Sequence, residues 1–127
     1  MTAAKPTVLV ADDDEQLVAM LEDVLTRDFR VVTAHNGASA LVQFARYPVD
    51  IVVTDLAMPG YNGLDVAAKC KAAKPSIPVV LLTAWDVLVT DEDRERNGVD
   101  AVVAKPVRVH EFSDFLLKRV PLKRVTS

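Results

Sequence analysis

Val8-Leu9-Val10-Ala11 runs directly into Asp12-Asp13-Asp14-Glu15, an apolar run that breaks into consecutive acids. Two later runs end in the same abrupt way. Ile51-Val52-Val53-Thr54 stops at Asp55, with Met58-Pro59-Gly60 just beyond, and Ala101-Val102-Val103-Ala104 stops at Lys105-Pro106. Runs rich in Val, Ile and Leu that mostly lack period-2 alternation are strands buried on both faces, as in parallel sheets. All strands of a parallel sheet point the same way, so these three ends meet at one edge. That edge is where open α/β sheets place their ligand sites. Three carboxylates and one lysine gathered there make a cation site beside a nucleophile.

Working outward, strands are expected at about 7–11, 30–34, 50–54, 77–83 and 100–104, with helical patterns between them. Leu17, Met20, Leu21, Val24 and Leu25 recur at helical spacing and make one apolar stripe. Leu41, Phe44 and Ala45 mark a second helix, ended by Pro48. Gly63 precedes a third, with Leu64, Ala67 and Ala68 in phase, ended near Pro75. Phe112, Phe115, Leu116 and Val120 give a fifth, ended by Pro121. The fourth segment, Thr90 to Asn97, reads TDEDRERN and has no apolar position to bury, so a short or loosely docked helix is expected there. Strand and helix in alternation mean βαβ units with right-handed crossovers. The fold class is α/β, one domain over 1–127, with its core at about 7–120 and 121–127 as a tail or linker stub. The initial Met and short tail point to a complete chain or an N-terminal domain.

Composition excludes several classes. A net charge of -3 argues against direct nucleic-acid binding by the domain as a whole. A single cysteine, Cys70, allows no internal disulfide and points to a reducing compartment. No apolar stretch approaches the roughly 18–20 residues that span a bilayer. The opening residues lack a signal-peptide layout, because their apolar run is short and ends in acids. A cytoplasmic protein without membrane contact is expected.

The acidic cluster predicts chemistry. Asp12, Asp13 and Asp55 would bring three negative charges close together, so either one carboxylate takes a proton or a cation moves in. Mg2+ fits a site of carboxylates, a carbonyl and waters best, with Mn2+ as a substitute. Lys105 adds a fixed positive charge. The layout suits phosphoryl transfer, where catalysis is mostly positioning and charge neutralisation. Asp55 would attack the incoming phosphoryl group, as carboxylates do in aspartyl-phosphate chemistry. Read singly, an Asp at a strand end often only caps the next helix, and Asp14 and Glu15 are assigned that role. An acid pair, a third-strand acid and a fifth-strand Lys-Pro together are hard to explain as caps. Pro106 is either a plain turn former or the second residue of a cis bond that aims Lys105 back over the sheet edge. Thr83, at the end of the fourth strand, is either a phosphoryl-oxygen donor or an ordinary β-branched strand residue.

These residues resemble the receiver domain of two-component response regulators, and are similar to the stand-alone chemotaxis receivers. The resemblance covers about Thr7 to Val120. It rests on Asp12-Asp13, on Asp55 with the loop Met58-Pro59-Gly60-Tyr61-Asn62-Gly63, on Thr83-Ala84 and on Lys105-Pro106. It implies a flavodoxin-like, doubly wound five-stranded parallel sheet of order 2-1-3-4-5 with five helices. It also implies that Asp13, Asp55 and the Ala57 carbonyl ligate Mg2+ directly, with Asp12 acting through water. Lys105 pairs with the acceptor and then with the phosphoryl group. Thr83 and the amides of Ala57 and Ala84 bind the remaining phosphoryl oxygens. The donor is a phosphohistidine on a sensor histidine kinase or a histidine phosphotransfer protein. By the same resemblance, further partners would be a second copy, as a homodimer, or a downstream output domain, and turnover would be limited to self-phosphorylation and self-dephosphorylation of Asp55.

The chain departs from the family where receivers commonly carry Tyr or Phe three residues before the lysine. Val102 stands there, next to the polar fourth helix on the usual output face. Trp85 either shields the phosphoryl group from water or packs on neighbouring aliphatics. Two rival functions have different signatures. A Mg2+-dependent aspartate-nucleophile phosphatase would carry Asp-x-Asp-x-Thr where this chain reads DLAMP after its strand. A receiver-like scaffold that is never phosphorylated would not need the full residue set. Cys70 reads as a small apolar filler, and His35 and His110 as surface residues. Lys118, Arg119, Lys123 and Arg124 read as cations that complement the last turn of the fifth helix.

Overall fold

A computed structural model describes residues 5–121. Five strands alternate with five helices: β1 (Thr7–Ala11), α1 (Glu15–Leu25), β2 (Arg30–Ala34), α2 (Gly37–Arg46), β3 (Ile51–Asp55), α3 (Gly63–Ala73), β4 (Val79–Thr83), α4 (Asp91–Asn97), β5 (Ala101–Ala104) and α5 (Val109–Leu117). The strands form one sheet of order β2-β1-β3-β4-β5, and every pairing is parallel. The expected flavodoxin-like architecture is therefore present. β1 lies between β2 and β3, so the chain reverses direction across the sheet there, and the switch point falls between Asp12-Asp13 and Asp55.

The apolar runs lack alternation because both faces of the sheet are covered. Leu9, Val52, Val79 and Leu81 point into a core shared with Ala40 of α2 and Val66, Ala67 and Cys70 of α3. Val8, Val10, Ile51, Val53, Val80 and Leu82 point into a second core with Val18, Leu21 and Leu25 of α1 and Phe112 and Leu116 of α5. Fully burying such a side chain contributes about 1.5–3 kcal/mol, so the three central strands anchor the domain. Their C-terminal ends are held as firmly as their middles, and those ends carry the functional side chains.

Element ends differ from expectation by small, explicable amounts. Asp55 is the last residue of β3, because the ladder continues as Leu56 N donates to Leu82 O at 2.8 Å. β4 starts at Val79, after Pro78, and β5 starts at Ala101, after Asp100, whose side chain accepts from Val79 N at 2.7 Å. On α1, Val18 is buried in place of Met20, which stands 52% exposed. Two stripes overlap on that helix, and the sheet takes the one through Val18, Leu21 and Leu25. Ala45 of α2 is likewise exposed. α5 ends at Leu117, short of Val120.

α4 is short, as expected, and buries no residue. Thr90 caps it, and Gly98 at φ +73° ends it beside the Lys71 side chain. Trp85 corrects both expectations for it: its ring is 80% exposed and neither shields a site nor packs on aliphatics. Arg119 does complement the end of α5, donating to Phe115 O at 3.0 Å, whereas Lys123 and Arg124 lie outside the described residues.

Candidate functional site

Each functional side chain sits where a strand stops. Asp12 and Asp13 follow β1, Asp55 ends β3, Thr83 ends β4 and Lys105 follows β5. The turn after β1 is built by the acids themselves. Asp12 Oδ1 accepts from Asp14 N at 2.9 Å, and Asp14 caps α1 by accepting from Gln16 N and Leu17 N. Asp14 thus takes the capping role assigned to it, and Glu15 lies in the first helical turn. This leaves Asp12 fully buried and Asp13 exposed at the rim.

Carboxylate oxygens of Asp12, Asp13 and Asp55 lie within 4.8 Å of one another. Lys105 Nζ lies 2.9 Å from Asp12 Oδ2 and 3.1 Å from Asp55 Oδ1. The Lys105–Pro106 bond is cis. Lys105 N donates to Thr83 O at 2.7 Å, which ties the end of β4 to the residue after β5. Thr83 is buried and pairs in register with Ala104, one step beyond the Asp55–Leu82 pair. Ala57 is exposed in the loop after β3. The geometry brings Asp12, Asp13, Asp55 and Lys105 into one cluster and sets Thr83 and Ala57 at the same edge.

The electrostatics are unbalanced. Burial pushes the Asp55 carboxyl above the ordinary aspartate value; its bond to Lys105 works against this, and the charges of Asp12 and Asp13 add to the rise. Burial works against the charge on Lys105, but the two carboxylates outweigh it and hold its ammonium more basic than usual. Asp12 Oδ2 is buried, and what meets it is the Lys105 ammonium at 2.9 Å. A buried carboxylate oxygen is costly without a compensating charge, and the ammonium that meets it is shared with Asp55. Three negative groups against one ammonium, all donors oxygen, fit a hard divalent ion.

Two features of this edge were not legible from residue spacing. His35, expected to be a surface residue, is exposed, yet its Nδ1 lies 3.4 Å from the Asp12 carbonyl oxygen. Gly63, read as the end of the loop after Asp55 and the approach to a helix, donates to Leu56 O at 2.8 Å and leaves no room for a Cβ beside the Asp55 carbonyl. Its bareness lets the loop after β3 lie against the strand end.

Comparison with known proteins agrees with this geometry. The family described as response regulator receiver domain matches residues 8–122. The probable transcriptional regulatory protein TcrX of Mycobacterium tuberculosis is 38% identical over 109 residues, covering 83% of this chain and 45% of that protein. The chain thus spans less than half the length of TcrX, and about the same share of a mycobacterial RegX3 protein it also matches. The response regulator TrrA of Thermotoga maritima, solved in complex with Mg(2+)-BeF, superimposes with a TM-score of 0.81 at 29% identity, covering 91% of this chain and 99% of that one. The chemotaxis protein CheY4 of Vibrio cholerae shares the fold, with a TM-score of 0.85 at 21% identity over 92% of this chain and 100% of that one. With the doubly wound sheet, the acid triad and the strand-end lysine already in place, the chain belongs to the family of response regulator receiver domains of two-component signalling.

Proposed function

We propose that Asp55 is the phosphoacceptor, and that Lys105 and Thr83 serve the transfer. The observation that carries this reading is Lys105 Nζ placed between Asp12 and Asp55 at 2.9 and 3.1 Å. An Asp55 oxygen attacks the phosphorus of a phosphohistidine. The O–P bond forms as the N–P bond breaks, and the electron pair leaves with the imidazole, which takes up a proton. Lys105 faces the charge that builds on the phosphoryl oxygens. The Thr83 hydroxyl donates to one of those oxygens, and the amides of Ala57 and Ala84 to others. Turnover is limited to phosphorylation and dephosphorylation of Asp55 itself.

Receiver domains take Mg2+ at an acidic pocket, and Asp12, Asp13 and Asp55 form an acidic pocket here. In this reading Asp13, Asp55 and the Ala57 carbonyl hold Mg2+ (or Mn2+) directly and Asp12 through water. When bound, the ion neutralises charge on the phosphoryl group and carboxylates. Receivers of this family work with histidine kinases and output domains. For this chain the donor is a sensor histidine kinase or a histidine phosphotransfer protein, and the receiver of the signal is an output domain or a second copy. The phosphorylated state biases a conformational equilibrium. No described helix is long and apolar enough to cross a membrane, and a cytoplasmic setting suits the single unpaired thiol.

Amide NMR with Mg2+ and a beryllofluoride salt tests the reading. Shifts should spread over the ends of β3, β4 and β5 in the wild type and vanish in Asp55→Asn. Shifts that persist in that variant would remove Asp55 from the role.

A further inference from the structure

We infer that Gly37, at the start of α2, is a positioning residue for the loop that follows Asp55. The inference rests on the reading of Asp55 as acceptor and of the Ala57 carbonyl as a metal ligand.

Gly37 is buried, and its φ is not positive, so glycine is not required there by backbone conformation. What it provides is space. A Cβ at this position would lie 2.5 Å from Tyr61 Cβ and 2.9 Å from Tyr61 C, and closer still to the Tyr61 carbonyl oxygen. The obstruction is mostly backbone, so it cannot be relieved by turning a side chain. Either α2 or the 56–62 segment would have to move.

Both are held. The start of α2 is fixed by the reciprocal Asn36–Ser39 capping pair. It follows directly on the end of β2, where Ala34 O accepts from Asp12 N at 3.1 Å. His35 adds a contact to the Asp12 carbonyl at 3.4 Å. On the other side, Asn62 caps α3 in a second reciprocal pair with Asp65, and Gly63 N donates to Leu56 O. Gly63 itself leaves no room beside the Asp55 carbonyl. The loop is therefore clamped between two bare glycines, one against Tyr61 and one against Asp55. Of the two held sides, the loop has the longer unpaired path, and Ala57 lies on it. A methyl at position 37 displaces that carbonyl relative to Asp13 and Asp55.

The test compares Gly37→Ala with Leu25→Ala, which perturbs the core on the opposite face of the sheet. In metal-free protein the amide signals of residues 57–63 should move in Gly37→Ala and stay in place in Leu25→Ala. Mg2+ affinity, measured by calorimetry, should fall between about 10- and 100-fold in Gly37→Ala, the range for groups that orient metal ligands. It should remain at the wild-type value in Leu25→Ala even where the loss of Tm is similar. Gly37→Ala/Tyr61→Gly should recover part of the loss relative to Gly37→Ala. Should Gly37→Ala not fold, that double variant is compared with Tyr61→Gly and must still bind Mg2+ more weakly. Wild-type Mg2+ affinity in Gly37→Ala, or an equal loss in Leu25→Ala, overturns the inference. Absence of Mg2+ binding in the wild type overturns the acceptor reading beneath it, and the inference with it.

Discussion

The Lys105 ammonium lies 3.1 Å from Asp55 Oδ1, with only about a quarter of the lysine side chain exposed. It is the fixed cation within reach of the buried carboxylates, since the same Nζ also meets Asp12 at 2.9 Å. Removing it leaves both acids uncompensated. Breaking a fully buried pair costs about 3–5 kcal/mol, and partial exposure here lowers that figure. Lys105→Ala should therefore lose Tm in metal-free buffer and regain much of it with Mg2+, because a ligand of the folded state stabilises by mass action. It should still bind Mg2+ but show none of the wild-type beryllofluoride shifts. Thermal scans and amide NMR check the two parts separately; unaltered beryllofluoride shifts would refute the proposed role of Lys105.

Asp55→Asn should be more stable than the wild type near neutral pH without metal. The folded-state carboxyl has a raised pKa, so its contribution is fully present below the unfolded value and is lost as pH rises through the folded one. At neutral pH the ionised group opposes folding, and Asn removes that opposition. Like charges 4 Å apart repel by about 1 kcal/mol in water and about 4 kcal/mol at an effective dielectric of 20, so a gain at the lower end of that range is expected. The gain should shrink as pH falls through the raised folded value and be gone below the ordinary aspartate value of about 3.9. Denaturant melts at paired pH values measure it, and a variant less stable than wild type at pH 7 would contradict the assignment.

Cys70 should be inert in the native protein. Its thiol is buried in α3 against the sheet, and burial pushes its pKa up to about 12. At pH 8 almost no thiolate forms, and thiolate is the reactive species. A thiol-reactive chromophore should label it only at the rate of unfolding. Rapid labelling without denaturant would show that this core opens locally.

Much of this was legible in the sequence because strand burial and strand ends both leave one-dimensional traces. A strand covered on both faces reads as an unbroken apolar run, and a functional residue at its C-terminus reads as an abrupt polar stop. Asp12, Asp13, Asp55 and Lys105 were visible for that reason. Met20 and Val18 were exchanged because two stripes overlap on α1 and only docking selects one. Gly37 against Tyr61, and His35 beside Asp12, join segments far apart in sequence, and spacing carries no record of such approaches. Trp85 was placed near the site by position alone, and position does not fix the direction of a ring in an exposed loop.

The segment 85–97 should be the first part of the sheet's active edge to exchange its amides. Trp85 and Leu88 are 80% and 86% exposed, and α4 buries no residue, so opening there is cheap. Val102 offers no ring to swing between rotamers. Hydrogen exchange should show weak protection across this segment at rest and a gain on adding beryllofluoride. A change confined to the loops around Asp55 and Lys105 would mark the domain as a phosphoryl relay. Strong protection of 90–97 at rest would contradict the loosely docked α4 on which the expected gain rests.

The central claim is that one carboxylate, Asp55, receives the phosphoryl group. Incubating the protein with acetyl phosphate and Mg2+, then mapping the modification by mass spectrometry, tests it most directly. The account predicts a single phosphoryl group on the peptide containing Asp55, lost when Mg2+ is chelated beforehand and absent in Asp55→Asn. A phosphoryl group on Asp12 or Asp13 in the wild type, or one retained in Asp55→Asn, would contradict it.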